Sequence, residues 1–233
     1  MNPVVSTIYT LSYTFAMSER ALLAAAVRGD AAVKGVALQW AQNMCRRCDV
    51  QVRVAGAERV DWDKPLVLVS NHQSHYDIPV IMAGLGRAFG FLTKSELFRV
   101  PAFGRVLRKL GCVSIDRRDQ GNARSALAEG ARRVRDGAQL VVFPEGTRTS
   151  DGTLQPFKKG PFFLIQEAGV AAVPIAISGT FRVLPKHARV VRPGQVSLEV
   201  GEPIVIENKT VEARERLRSR MHAVIGEMLA ARR

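Results

Sequence analysis

Short apolar runs alternate with stretches of helical periodicity along most of this chain, and this alternation restricts the possible folds more than any other feature. The apolar runs lie at 65–70, 89–93, 112–115, 140–143, 173–178 and 196–200. The helical patterns between and after them lie at 78–85, 101–110, 120–135, 159–168 and 211–231. Strands that alternate with helices are typical of parallel sheets. We therefore predict a single α/β domain with a largely parallel central sheet flanked by helices.

An N-terminal amphipathic helical extension precedes this domain. Apolar residues recur at helical spacing over 31–47, with basic residues on the other faces. The pattern fits a helix docked on the core and a helix in a membrane interface equally well. We predict a helical membrane-association segment at 1–49 and a catalytic domain at 50–233, with the boundary near 49–56.

The first eighteen residues carry no charge but include several hydroxyl side chains. A membrane-spanning helix needs about 20 predominantly apolar residues, so this segment is a poor candidate for one. It also has neither the basic start nor the small-residue cleavage site of a secretory signal. We expect the protein to act at the cytoplasmic face of the inner (cell) membrane, as a peripheral or monotopic protein.

The basic composition points to an anionic partner. A net charge of +13 over 233 residues attracts nucleic acid and anionic lipid headgroups alike. No basic run interleaved with aromatics and no zinc-finger spacing is present, so we expect an anionic membrane surface and no nucleic acid. The three cysteines include one C-x-x-C with no second pair, which favours reduced thiols and no metal site.

Polar residues follow four of the predicted strands, where parallel α/β sheets bind their ligands. His72 and Asp77 follow the first, Lys94 the second, Arg117 the third and Arg148 the fourth. One edge of the sheet then presents a histidine, a carboxylate able to orient it, and three cations. General-base attack by an alcohol beside a phosphate requires such a set.

The histidine and aspartate can meet only if a turn lies between them. Pro79 favours a helix that begins at about residue 78, with Asp77 as its N-cap and His72 in the preceding loop. On this pattern alone Asp77 could be a simple cap, and His75 is a rival for the role of base.

Four sequence blocks in a fixed order carry a family resemblance: N-H-Q-S-H-Y-D at 71–77, G-C-V-S-I-D-R at 111–117, F-P-E-G-T-R-T at 143–149 and V-P-I-A-I-S at 173–178. With these blocks the chain resembles the glycerolipid acyltransferases, most closely the bacterial 1-acyl-sn-glycerol-3-phosphate acyltransferases. Thr149 stands where that family usually has serine.

The resemblance implies a role for each matched residue. His72 becomes the catalytic base and Asp77 the residue that orients it. Arg117 contributes to binding of the acceptor phosphate, and Lys94 falls in a segment similar to one of the family and is assigned the same role. The remaining substrate-binding residues are Glu145, Gly146, Thr147 and Arg148 at the acceptor site and Pro174 at the acyl site.

The reaction implied is transfer of a fatty acyl group from acyl-carrier protein or coenzyme A to the hydroxyl of 1-acyl-sn-glycerol-3-phosphate. The product is phosphatidic acid, made in phospholipid biosynthesis, and no cofactor is expected. The alternatives are an acyltransferase for another lysolipid acceptor, such as a lyso-ornithine lipid, a non-catalytic basic peripheral membrane protein, and a nucleic-acid binder.

Overall fold

The computed structural model describes residues 3–115, 120–206 and 208–231. Its strands are β1 Val50–Ala55, β2 Leu66–Ser70, β3 Gly90–Lys94, β4 Val113–Ile115, β5 Gln139–Val142, β6 Ala171–Ser178 and β7 Gly194–Val200. Its helices are α1 Pro3–Arg28, α2 Ala32–Arg47, α3 Asp77–Leu85, α4 Phe103–Lys109, α5 Gln120–Arg135, α6 Gly160–Ala168, α7 Thr180–Val183 and α8 Val211–Ala230.

The strands form one seven-stranded sheet in the order β1-β7-β6-β2-β5-β3-β4. Every neighbouring pair is parallel except β6 and β7, which are antiparallel. The predicted α/β domain with a largely parallel sheet is therefore confirmed. Parallel strands β2, β3, β4, β5 and β6 all end at the same edge of the sheet.

Two apolar cores cover the two faces of this sheet, and β2 shows how one strand serves both. All five of its residues are buried. Leu66 and Leu68 join the core that also contains α2 and α3, whereas Val67 and Val69 join the core formed with α5, α6 and α8. A strand whose side chains alternate between two buried faces has a continuous apolar run in its sequence.

The N-terminal helices pack on the first of these faces. Ala41, Met44 and Cys45 of α2 are buried in the core beside α3, so α2 is docked on the domain. α1 lies over α2, where Thr14 Oγ1 accepts a hydrogen bond from Trp40 Nε1 at 3.0 Å and the Tyr13 hydroxyl accepts one from Asn43 at 2.6 Å. Trp40 thus faces α1. No described helix is both long and apolar enough to cross a bilayer.

Three local features differ from the sequence prediction. α1 is a helix of 26 residues inside the extension predicted to be helical at 1–49, where a helical pattern was located only over 31–47. β1 occupies the predicted boundary at 49–56 and pairs in parallel with β7. α3 begins at Asp77 with Tyr76 as its N-cap, so the predicted cap at Asp77 is wrong by one residue. The Asp77 carboxylate instead reaches back to the loop before the helix.

Candidate active site

The loop after β2 and the start of α3 bring His72 and Asp77 together at the carboxyl edge of the sheet. His72 Nδ1 lies 2.7 Å from Asp77 Oδ2. The Asp77 side chain is fully buried and that of His72 is 17% exposed. Because a carboxylate accepts hydrogen bonds, Nδ1 carries the proton in this pair, and Nε2 keeps its lone pair for a substrate.

Four donors hold the Asp77 carboxylate in place. Besides His72, Asp77 Oδ2 accepts from the backbone N–H groups of Gln73 at 2.7 Å and Ser74 at 2.9 Å. Asp77 Oδ1 accepts from Thr180 Oγ1 at 2.6 Å. A buried carboxylate needs such partners, since an unpaired buried charge is strongly unfavourable. The loop from 72 to 77 therefore folds around its own aspartate.

Thr180 reaches this carboxylate because β6 ends in a tight turn. Gly179 adopts φ +103°, and a Cβ there would lie 2.5 Å from the Gln195 carbonyl oxygen. Only glycine fits so close an approach at positive φ. The turn places the fully buried Thr180 at the first position of α7.

Aromatic rings support the histidine from the side. The His72 ring stacks on Phe143 with centroids 4.0 Å apart and planes 18° apart. Phe143 in turn stacks on Phe91 at 6.4 Å. Contact with Asp77 and Phe143 together fixes the orientation of the imidazole.

Glu145 joins the loop after β5 to the loop that carries His72. Its Oε1 accepts from the His72 backbone N–H at 2.7 Å, and its Oε2 accepts from that of Gln155 at 3.3 Å. Thr149 N also donates to the His72 carbonyl at 2.9 Å. Burial raises the pKa of Glu145 to about 7, although the two N–H groups favour its ionised form. The predicted substrate-binding residue Glu145 thus makes structural contacts to the histidine loop.

The rest of the 143–149 block forms a turn beside the site. Gly146 has φ +73°, and a Cβ there would meet the Lys158 side chain at 2.9 Å. Thr147 is exposed. Arg148 is half-buried and donates from Nη1 to the Lys186 carbonyl at 3.1 Å. Lys94 is exposed at the end of β3.

Of the two remaining predicted substrate residues, one is not described and the other is not brought to this group. Arg117 lies outside the described residues. Pro174 is in the middle of β6, opposite Val69 of β2, and its carbonyl accepts from Gly201 N at 2.9 Å. Its neighbours at alternate positions, Ala172 and Ala176, belong to the core with α8, so Pro174 faces away from α1 and α2.

The rival base His75 has no carboxylate hydrogen-bonded to its ring among the described contacts. The residue is exposed. Protein atoms nonetheless crowd its ring, and this partial burial, with the charges of Arg148 and His72, lowers the pKa of His75 to about 4. His72 has a carboxylate partner at 2.7 Å, so the geometry favours His72 as the base.

An apolar cavity of about 110 Å³ adjoins the site on the face covered by the N-terminal helices. Ile78, Phe91 and Thr93 line it near the site. Its more distant walls come from α1, α2 and α4, with lining residues that include Met17, Ala21, Val36, Ala37, Trp40, Val106 and Leu110. Among the described residues, no group of three or more His, Cys, Asp or Glu side chains is placed to hold a metal ion.

Sequence reasoning gave no role to three residues that shape the site, two of which lie in the block at 71–77. Asn71 exchanges hydrogen bonds with Ile177, its Nδ2 donating to the carbonyl at 2.9 Å and its Oδ1 accepting from N at 2.8 Å. Ser74 Oγ donates to the Leu184 carbonyl at 2.8 Å, and Thr180 holds Asp77. The Gly179 turn directly after an apolar strand was the available signal for Thr180.

Comparison with known proteins decides the family. A family model described as "Acyltransferase" matches residues 51–178. The chain belongs to the acyltransferase family. His72, Asp77, Glu145 and Arg148 lie inside the matched segment, and Thr180 lies two residues beyond it.

Several acyltransferases of known name are similar over much of this chain. A chloroplastic 1-acyl-sn-glycerol-3-phosphate acyltransferase of Brassica napus is 35% identical over 166 residues, which are 70% of this chain and 48% of that protein. The human alpha form of 1-acyl-sn-glycerol-3-phosphate acyltransferase is 35% identical over 162 residues, 69% of this chain and 57% of that protein. This acyltransferase chain spans about half the length of the curated relatives it matches.

One solved structure shares the whole fold. The crystal structure of the 1-acyl-sn-glycerophosphate (LPA) acyltransferase PlsC from Thermotoga maritima superposes with a TM-score of 0.82 at 26% identity. The match covers 98% of this chain and 95% of that one, so it extends over the N-terminal helices of this chain.

Proposed function

We propose that this protein is an O-acyltransferase that moves a fatty acyl group from a thioester donor to the free hydroxyl of 1-acyl-sn-glycerol-3-phosphate, giving phosphatidic acid. The observation that carries the proposal is the His72–Asp77 pair at 2.7 Å on the carboxyl edge of the sheet. The names of the relatives support this acceptor.

His72 would act as general base. Its Nε2 takes the proton of the acceptor hydroxyl while that oxygen attacks the thioester carbonyl. The tetrahedral adduct then collapses, the C–S bond breaks, and the imidazolium returns the proton to the leaving thiolate. Asp77 keeps the imidazole in the required tautomer and stabilises its charge. No covalent acyl-enzyme is needed, since the acceptor hydroxyl itself is the nucleophile.

The cations beside the pair would hold the acceptor phosphate. Arg148 offers a planar fork that matches phosphate oxygens, and its half-buried position strengthens charge-assisted hydrogen bonds. Lys94 at the end of β3 and the Lys158 side chain over Gly146 add positive charge at the same edge. Holding the phosphate there turns a two-substrate encounter into an oriented one.

The apolar cavity would take the acyl chain of the donor. It begins beside Phe91, which stacks on the ring that supports His72, and continues between α1, α2 and α4. A chain buried there would bring the thioester carbonyl to the histidine. Acyl-carrier protein and coenzyme A both present such a chain.

The exposed face of α1 would bind the membrane, which supplies the acceptor. Ile8, Leu11, Phe15, Leu23 and Val27 are all more than half exposed and recur along one helix. Apolar residues at helical spacing beside a basic surface are typical of interfacial binding. We propose peripheral association with the cytoplasmic face of the cell membrane through residues 1–49.

Incubation of the purified protein with lysophosphatidic acid and a radiolabelled acyl thioester, followed by thin-layer separation of phosphatidic acid, tests the reaction. His72→Ala and Asp77→Asn should each lower turnover by roughly 10² to 10⁴ with the fold retained. His222→Ala, a histidine that packs on Phe157 away from the pair, is the matched control and should stay active. Near-normal turnover in His72→Ala would contradict the assignment.

A panel of acceptors separates this reaction from its alternatives. Product with lyso-ornithine lipid but not with lysophosphatidic acid would move the proposal to another acceptor. No product with any acceptor would leave a non-catalytic basic membrane protein.

A further inference from the structure

A compact loop with closed ends connects α7 to β7 at the edge of the sheet that holds His72. Arg192 N donates to the Val183 carbonyl at 2.9 Å, and Ala188 N donates to the Pro185 carbonyl at 3.0 Å, so residues 183–192 close on themselves. Val183, Leu184 and Val191 are buried beneath the loop. Loops of this kind, packed by their own side chains, are frequently functional.

The outer surface of this loop is uniformly basic. Arg182, Arg189 and Arg192 are exposed, as is His187, and Lys186 is half-buried. The chain has no Asp or Glu between Glu167 and Glu199. The large apolar side chains of the loop are buried or half-buried, so the loop offers charge without an apolar contact surface. We name residues 182–192 the basic loop.

Two further arginines extend this surface. Gly194 N donates to the Asp49 carbonyl at 3.1 Å, so the end of the basic loop meets the end of α2. The exposed Arg46 and Arg47 lie in the last turn of that helix. The cations therefore come from two elements of the fold on one side of the site.

The basic loop is tied directly to the catalytic pair. The Leu184 carbonyl of this loop accepts a hydrogen bond from Ser74 Oγ, and the backbone N–H of Ser74 donates to Asp77 Oδ2. The Lys186 carbonyl of the loop accepts from Arg148. A partner held on this loop is thus placed next to the histidine.

We propose that the basic loop, with Arg46 and Arg47, is the docking surface for an acidic carrier protein that delivers the acyl thioester. This proposal rests on the proposed function and names the donor it uses. Arginine forks pair with surface carboxylates, and complementary charge over a broad area guides a protein partner to its site. A membrane would be bound differently, through the apolar face of α1, and the basic loop has no comparable apolar residues.

The test compares two triple variants of equal charge. The basic-loop variant removes three charges from the basic loop, through Arg182→Gln, Arg189→Gln and Arg192→Gln. The α8 variant removes three exposed charges from the first half of α8 and the residues before it, through Lys209→Gln, Arg216→Gln and Arg220→Gln. That end of α8 packs on the end of α6, where Gln166 Nε2 donates to the Thr210 carbonyl at 2.7 Å, at the opposite edge of the sheet from His72.

Acylation of lysophosphatidic acid is measured with acylated acyl-carrier protein and with acyl-coenzyme A. The basic-loop variant should lose about tenfold in kcat/KM for the carrier donor at low salt, with kcat and the coenzyme A reaction within about twofold of wild type. The α8 variant should match wild type with both donors. In about 0.5 M salt, kcat/KM for the carrier donor should be nearly equal in the basic-loop variant and the wild type, because salt screens exposed charges.

Three results would overturn the docking proposal while leaving the acyltransferase reaction in place. In the first, the wild type uses acyl-coenzyme A but not the acylated carrier. In the second, both triple variants lose the carrier reaction equally. In the third, the basic-loop variant keeps its carrier kinetics but loses binding to vesicles of anionic phospholipid, which would make the loop a membrane contact.

Binding of the fluorescently labelled carrier, measured by anisotropy, separates docking from catalysis. If no donor gives product, the reaction proposal fails. A wild-type protein that still binds the carrier, with weaker binding only in the basic-loop variant, would then support the docking surface by itself.

Discussion

The hydroxyl of Thr180 supplies the only described donor to Oδ1 of Asp77, the carboxylate that orients the histidine. Thr180→Val keeps the volume of the side chain but leaves that buried oxygen unpaired, which costs about 1–3 kcal/mol. The Asp77 carboxylate can then shift, and small displacements of catalytic groups cost roughly a hundredfold in rate. We expect kcat to fall by about ten- to a hundredfold with both KM values within about threefold.

Thr180→Ser is the control for that change, because serine retains the hydroxyl and should restore most of kcat. We would measure steady-state kinetics with both donors, and thermal unfolding, for wild type, Thr180→Val and Thr180→Ser. Equal kcat in Thr180→Val and wild type would show that the Thr180 hydroxyl does not position Asp77. A loss in Thr180→Ser as large as in Thr180→Val would show the same.

Glu145 predicts a pH dependence of stability. Burial raises its pKa to about 7 from an ordinary value of 4.5. Between these two pH values the folded protein holds a proton that the unfolded chain has released, so stability falls as pH rises. The protonated group contributes fully below about pH 4.5, and its contribution is lost as pH passes about 7.

Glu145→Gln removes this titration and keeps one acceptor oxygen for the N–H of His72. The shift in Glu145 corresponds to roughly 3 kcal/mol, or about 6–12 °C in Tm for a chain of this size. Melting curves from pH 4.5 to pH 8 should therefore show the Tm of wild type falling relative to that of Glu145→Gln. Parallel curves for the two proteins would contradict the raised pKa.

The sequence predicted the pairing of His72 with Asp77 but not the atoms that hold the pair. The local pattern around Pro79 only made the pair possible, and the resemblance of the block at 71–77 to the acyltransferase family selected it. Thr180 and Glu145 come from 103 and 73 residues away. Contacts over such separations depend on which strands lie side by side, and the local sequence pattern does not determine that strand order.

At the scale of elements, α1 shows why the bounds of a helix could not be located inside the predicted helical extension. Its first half is rich in Ser and Thr, which have modest helix propensity. In the folded chain Ser12, Thr14 and Ser18 donate their hydroxyls to the carbonyls four residues earlier, so these polar groups are satisfied inside the helix. β1 was not predicted as a strand for a different reason, since most of its side chains are exposed or half-buried and it forms no apolar run.

The exposed face of α1 leads to a prediction about membrane binding. Leu11→Glu with Phe15→Glu places two charges where an interfacial helix would bury apolar groups worth about 1.5–3 kcal/mol each. Partitioning onto vesicles of phosphatidylglycerol and phosphatidylcholine should fall by at least about tenfold, as measured by co-sedimentation. The fold should be retained, because both positions are more than half exposed.

The double variant Val205→Glu, Val211→Glu provides the matched control, since both valines are exposed, Val211 as the first residue of α8 and Val205 in the segment before it. This variant should bind vesicles as wild type does. If the two double variants lost binding equally, net charge rather than the face of α1 would govern the interaction.

At the scale of the whole molecule, the strand order lay beyond the sequence pattern. β5 lies between β2 and β3, which brings Glu145 and Phe143 beside His72. Alternating strands and helices predict a parallel sheet but leave this order open, because several orders bury the same apolar faces. The same holds for the cavity, whose walls come from α1, α2, α3, β3 and α4 together.

The proposed acyl site in that cavity predicts a preference for acyl chain length that can be changed by mutation. Ala21 on α1 lines its far wall and is 2% exposed, so Ala21→Leu fills space at the end where a long chain would lie. Each methylene kept out of an apolar site costs about 0.8 kcal/mol. The ratio of kcat/KM for a palmitoyl donor to that for a decanoyl donor should fall by roughly tenfold or more.

The ratio is compared within one variant, so a general loss of stability from overpacking affects both donors alike. Ala26→Leu adds the same group at an exposed position of the same helix and should leave the ratio unchanged. If Ala21→Leu also leaves it unchanged, the acyl chain does not reach the space between the N-terminal helices. α1 and α2 would then serve the membrane alone, and chain length would be set on the catalytic side of Phe91.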